Sequence, residues 1–162
     1  MLTGSVAAAY HGAGRATMDI DVVIDPNARQ LASFVAAIDK SGRYVSSDAA
    51  REALADRTMF NVVDADSGWK ADLIVRKQRP YSAAEFARRM PIDFFGVALD
   101  VASLEDVVLS KLEWAKLGGS ARQLEDVRAL LRIRGDEFDT AYAMPWIAAL
   151  GIREQWDAVN QP

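Results

Sequence analysis

Cysteine is absent from the sequence and histidine occurs once, at His11. Those absences exclude disulfides, thiolate nucleophiles, cysteine-ligated zinc and histidine-rich metal clusters. A metal held by this chain must sit mainly on carboxylate oxygen. No run approaches the roughly 18 consecutive apolar residues of a membrane span, and no basic stretch followed by an apolar one opens the chain. The expectation is a cytoplasmic protein without a membrane partner. Repeats and low-complexity tracts are also missing, and the 5 prolines and 10 glycines fall as punctuation. An excess of positive charge is lacking too: the net charge is −4, which argues against a broad electrostatic footprint for duplex nucleic acid. Two local basic clusters stand against that balance, Arg76, Lys77, Arg79, Arg88 and Arg89, and then Arg128, Arg132 and Arg134. Solvated helix and strand faces account for them more simply than an RNA cleft.

What is present suits one compact unit: 162 residues, 51% hydrophobic and 26% charged, enough to bury a real core. Residues 18–24 are β-branched with alternating acids and read as a strand. Pro26 opens a helix carrying Leu31, Phe34, Val35 and Ile38, and a second helix covers 48–55. Residues 58–63 and 69–75 read as antiparallel strands joined by the polar loop 64–68. Ser82 and Glu85 form a capping-box pattern for a short helix, and 93–101 gives one or two short strands. From Ser103 onward the periodicity is helical. Ser103 and Asp106 cap a helix bearing Val107, Val108, Leu112 and Ala115, which Gly118-Gly119 ends. A helix from Ala121 carries Leu124, Val127, Leu130 and Leu131, and further short helices run to Trp156 with Pro145 at a boundary or kink. The expected fold class is α+β, a mixed sheet flanked by helices over 1–102 with a helical segment over 103–162.

Asp19 and Asp21 carry the chemistry. Residues two apart on a strand project to one face, so these carboxylates lie side by side while Ile20 and Val22 face the core. Paired carboxylate oxygens suit a hard divalent cation such as magnesium, which keeps waters and substrate phosphates as its other ligands. Gly4 allows close backbone approach to a phosphate, and Ser5 offers a hydroxyl and an amide at the start of a short helix over 6–10. Asp72 stands within an otherwise apolar strand, where a lone carboxylate needs a partner or a metal.

Gly4-Ser5, thirteen residues, then Asp19-Ile20-Asp21 resembles the nucleotidyltransferase superfamily related to DNA polymerase β. Gly4-Ser5-Val6-Ala7, Gly12, Arg15, Thr17, the 105–112 segment and the 122–127 segment look like its short bacterial members, AbiEii-type toxins and minimal nucleotidyltransferases. The resemblance implies transfer of a nucleoside monophosphate from an NTP to an acceptor hydroxyl, with Asp19, Asp21 and Asp72 holding two Mg2+ (or Mn2+) ions. It implies that Asp72 helps activate the acceptor, that Gly4 and Ser5 hold the β- and γ-phosphates, and that Arg15 and Thr17 occupy basic and hydroxylic positions of the site. Lys111 and Asp126 match polar positions that border the nucleotide. The acceptor would be an RNA or tRNA end, a protein side chain such as that of a cognate toxin or antitoxin, or a small molecule such as an aminoglycoside. His11 reads as a loop residue.

One departure from the family is that only Met1, Leu2 and Thr3 precede Gly4-Ser5. The first strand looks clipped, which would leave an open sheet edge for a partner chain or a second copy. A catalytically impaired binding module is therefore the alternative expectation. A glycosyltransferase using Asp-x-Asp is a third, weakened because that motif normally follows a complete nucleotide-binding half-domain.

Overall fold

A computed structural model describes residues 1–14 and 16–160. Strand β1 (Asp19–Ile24) pairs in parallel with β4 (Lys70–Val75), which pairs antiparallel with β3 (Met59–Val63), which in turn pairs with the two-residue β2 (Tyr44–Val45). The order β1-β4-β3-β2 makes a mixed sheet, with β1 and β2 at its edges. Alternation sorts its faces: Phe60, Val62, Leu73 and Val75 pack against Leu31 of α2 (Ala28–Asp39) and Ala50 and Ala53 of α3 (Ser47–Asp56). The odd-numbered partners of β3 and the even-numbered partners of β4 face the other way, and these include Asn61, Lys70 and Asp72.

The larger apolar cluster joins Ala7 and Ala8 of α1 (Gly4–Tyr10) and Val101 of β6 (Val97–Val101) to the later helices. Its centre is α5 (Leu104–Gly118), whose Val107, Val108, Leu109 and Leu112 are fully enclosed. Around it lie α6 (Ala121–Arg134), a 3-10 turn (Gly135–Glu137), α7 (Thr140–Leu150) and α8 (Arg153–Val159). Ser103 caps α5 by accepting from the Asp106 amide, and Gly119, at φ +60°, ends it.

Several local expectations need correction. The helix α2 is capped by Asn27, not Pro26, in a capping box with Gln30. The helix α4 (Pro80–Ala87) begins two residues before Ser82, because Pro80 is pre-set for the first helical turn; Ser82 instead receives a hydrogen bond from Arg79 Nε at 3.0 Å. The 93–101 strand region is a hairpin, β5 (Met90–Phe94) with β6, starting three residues earlier. The helix α7 continues through Pro145.

The edge of β1 is not open along its middle. Thr3 donates to Asp21 O at 3.0 Å, and Val23 donates to Met1 O at 2.8 Å. Leu2 bridges Val22 on one side and Val101 on the other, so the first three residues seam the four-stranded sheet to the β5–β6 hairpin. Burial of Leu2 in the larger apolar cluster holds that seam in place.

Candidate active site

Register decides what the acids meet. Asp21 of β1 stands directly opposite Asp72 of β4, and Asp72 stands opposite Asn61 of β3, so one row across three strands reads Asp-Asp-Asn. In the adjoining position Asp19 faces Lys70. Asn61 Nδ2 donates to Asp72 Oδ1, and Lys70 Nζ reaches Asp72 Oδ1 at 3.2 Å and Asp19 Oδ1 at 3.5 Å. The Lys70 ammonium is held above its ordinary pKa, chiefly by its hydrogen bond to Asp72. Asp72 is 8% exposed, so its sequence-based need for a partner is met by Asn61 and Lys70.

Asp21 lies against the start of α1. Its carboxyl is pushed above the usual carboxylate range by burial, then by Asp72 and Asp19; Lys111 and the donating Ser5 amide act in the opposite direction. Gly4, at φ +61°, is required there, since a β-carbon would stand 1.9 Å from Asp21 Oδ2. Gly4→Ala is expected to destabilise the fold by about 1–2 kcal/mol through the left-handed backbone alone and also to displace Asp21. Thermal unfolding and transfer rate should fall together; an unaltered rate would separate Gly4 from the site.

These groups line a cleft of about 320 Å³ bounded by Gly4, Ser5, Thr17, Asp19, Asp21 and Asp72 on the sheet side, and by Ser110, Lys111 and Trp114 of α5 and Gln123 of α6 on the other. Thr17 Oγ1 accepts from the Asp19 amide at 3.1 Å, fixing the entry to β1. Lys111, 2% exposed, donates to Asp126 Oδ2 at 2.6 Å and Gln123 Oε1 at 3.1 Å. Asp126 thus anchors Lys111 from α6. Arg15 lies outside the described residues. His11 is buried, with Nε2 2.9 Å from Ala102 O, and is structural.

A second recess of about 60 Å³ shares Thr3, Ile74, Ser110 and Trp114 with the cleft and reaches Glu85 and Glu113. Burial, then the charge of Asp106, raises Glu85 to a pKa of about 8. Its folded pKa is above the ordinary 4.5, so the associated stability is complete below about pH 4.5 and is lost as pH rises through 8. Glu85→Gln should therefore raise stability by about 2–4 kcal/mol at pH 9 and change it little at pH 4.5. Urea unfolding at the two pH values checks this; an equal effect at both would remove Glu85 titration as the cause.

The donor set suits a divalent cation in type and place: oxygen-only side chains from two adjacent strands, crowded enough that Asp21 resists ionisation. Lys70 shows that Asp19 and Asp72 converge on one cation. Among the described residues, however, no three acidic or imidazole side chains already form a metal cage. Sequence reasoning missed Asn61, Lys70 and Trp114. Alternation already put Lys70 on the Asp72 face, but nothing local marked Asn61 or Trp114.

This α+β architecture is that of nucleotidyltransferase-like folds. A crystal structure of ANT(2'')-Ia in complex with adenylyl-2''-tobramycin is similar at TM-score 0.56 and 14% identity, over 94% of this chain and 87% of that one. The solution structure of the antibiotic-resistance factor ANT(2'')-Ia matches at TM-score 0.55 and 14% identity, over 98% and 83%. An antigenic nucleotidyltransferase-like protein from Paracoccidioides brasiliensis matches at 0.50 and 17% identity, over 81% of this chain and 66%, just under two thirds, of that one. No protein-family model matches the sequence, and no curated protein matches it.

Proposed function

We propose that the protein transfers a nucleoside monophosphate from an NTP to an acceptor hydroxyl. The observation that carries this reading is the row of Asp21 against Asp72, with Asp19 beside it, lining one cleft in a nucleotidyltransferase-like fold. The acceptor oxygen attacks the α-phosphorus, the bond to the β-phosphate bridging oxygen breaks, and pyrophosphate leaves with that electron pair. Asp19, Asp21 and Asp72 would hold Mg2+ or Mn2+, which supplies neutralisation of triphosphate charge and polarisation of the reacting oxygens when bound. Asp72, oriented by Asn61, takes the acceptor proton. Lys111, fixed by Asp126 and Gln123, directs one positive charge toward the triphosphate. Gly4 and Ser5 border the phosphates, and positioning and fixed charge do most of the catalytic work.

The four arginines of the first basic cluster favour a small-molecule or protein acceptor over RNA. Arg76 pairs with Asp25, Arg79 with Glu113, Arg88 with Glu105 and Arg89 with Asp100, so their charge is already answered within the protein. A toxin–antitoxin or abortive-infection setting rests on the resemblance of the 105–112 and 122–127 helices. The test is incubation with each labelled NTP, Mg2+, and separated lysate protein, RNA and small-molecule fractions. Label should enter one fraction and vanish with Asp19→Ala/Asp21→Ala; equal labelling by that variant sinks the site.

One observation favours a second reading, a binding module without transfer: Lys70 already spans Asp19 and Asp72. Thermal protection by NTP only when Mg2+ is present separates the two, because a module that binds no nucleotide gains nothing.

A further inference from the structure

We infer that Trp114 is the platform on which the nucleobase of the NTP stacks, an assignment that rests on the nucleotidyl-transfer reading and adds its base subsite. Trp114 is 47% exposed and Leu117, three residues on, is 64% exposed, while Val107, Val108, Leu109 and Leu112 of the same helix are fully buried. A lone exposed aromatic is ordinary on a protein surface. This one lines both the carboxylate cleft and the recess beside it. It follows Lys111 by three residues, so both lie on one face of α5, about 4.5 Å apart along the axis. A triphosphate beside Lys111 would therefore carry its nucleoside toward the indole.

The surroundings have nucleoside chemistry. The cleft and the recess share four residues, Thr3, Ile74, Ser110 and Trp114: one aromatic plane, one branched apolar side chain and two hydroxyls. Thr3 Oγ1 is buried and, among the described residues, lacks a hydrogen-bond partner. A buried polar atom without a partner is unfavourable, and a ribose hydroxyl or base edge at this wall would satisfy it. Met59 adds apolar contact along the sheet side of the cleft. Every base has a π-face, so an indole platform favours nucleotides over bare polyphosphate without choosing strongly among the four.

The experiment compares wild type, Trp114→Ala and Trp114→Phe for binding of ATP, GTP, CTP, UTP and inorganic tripolyphosphate with Mg2+, by calorimetry. Trp114→Ala should weaken each NTP roughly five- to hundredfold and leave tripolyphosphate unchanged, while Trp114→Phe keeps most of the affinity. Wild-type NTP affinity in a Trp114→Ala variant that also binds tripolyphosphate normally overturns the base platform and leaves the transfer reading standing. A loss confined to acceptor KM, with NTP affinity intact, also overturns it and assigns the indole to the acceptor. A wild type that binds neither tripolyphosphate nor NTP overturns both readings together.

Discussion

Asp21→Asn is expected to lower nucleotidyl transfer by about 10³-fold or more while leaving the protein folded and, without metal, somewhat more stable. The two effects have one origin. Asp21 is half-buried and faces Asp72 across β1 and β4 with Asp19 two residues away, so its ionised form is opposed by burial and by like charge. An amide of the same shape relieves that repulsion and can still accept from the Ser5 amide through its oxygen. The negative charge that disfavours the empty fold is what a cation and its triphosphate require. Steady-state kinetics beside metal-free thermal unfolding checks the pairing. A variant that loses activity by unfolding would place Asp21 in the scaffold instead, and one that keeps activity would dissociate it from the chemistry. This is the opposition between stability and function expected where an active site gathers like charges.

The largest stability effect should come from Asp126→Ala. Lys111 is almost wholly enclosed between α5 and α6, and its ammonium lies 2.6 Å from Asp126. Removing Asp126 leaves the Lys111 ammonium desolvated without its ion-pair partner and with the neutral Gln123 oxygen in hydrogen-bond reach, a loss of about 3–5 kcal/mol. Replacing both groups by apolar side chains of similar volume avoids that penalty. The double variant Lys111→Met/Asp126→Leu should therefore recover much of the stability lost by Asp126→Ala, because the unpaired ammonium is gone. It should not recover transfer, because the charge directed at the cleft is gone. Urea unfolding of the single and double variants measures the first expectation, and transfer rates the second. Equal destabilisation in both variants would mean that packing, rather than charge pairing, dominates at this contact.

The sequence was most legible where a local pattern has one structural solution. Ser103 and Asp106 before a helical apolar stripe, and Gly118-Gly119 after it, marked α5 within a residue at each end. The polar loop 64–68 joined β3 to β4 in the expected antiparallel sense. Patterns with two solutions were read less well. Ser82 with Glu85 satisfies a capping box, yet Pro80 starts the helix earlier and leaves Glu85 as a buried acid beside the recess. The strand β2 was missed because two residues carry no periodicity. The open edge expected beside β1 was wrong along its middle, because Leu2 finds apolar contact in a cluster built by residues distant in sequence.

By itself, the sequence determined that Asp19 and Asp21 share a face and that any metal here meets carboxylate oxygen. Composition is a property of the chain alone, and alternation follows as soon as the β-branched 19–24 segment is a strand. Only the tertiary structure decided that Asp72 lies opposite Asp21, that Asn61 and Lys70 engage it, that Asp126 pairs with Lys111, and that Trp114 overlooks the site. Those relations depend on the register between separate strands and on how α5 docks beside the sheet. Both are set by burial of Leu73, Val75, Val108 and Leu112 in cores that no single segment encodes.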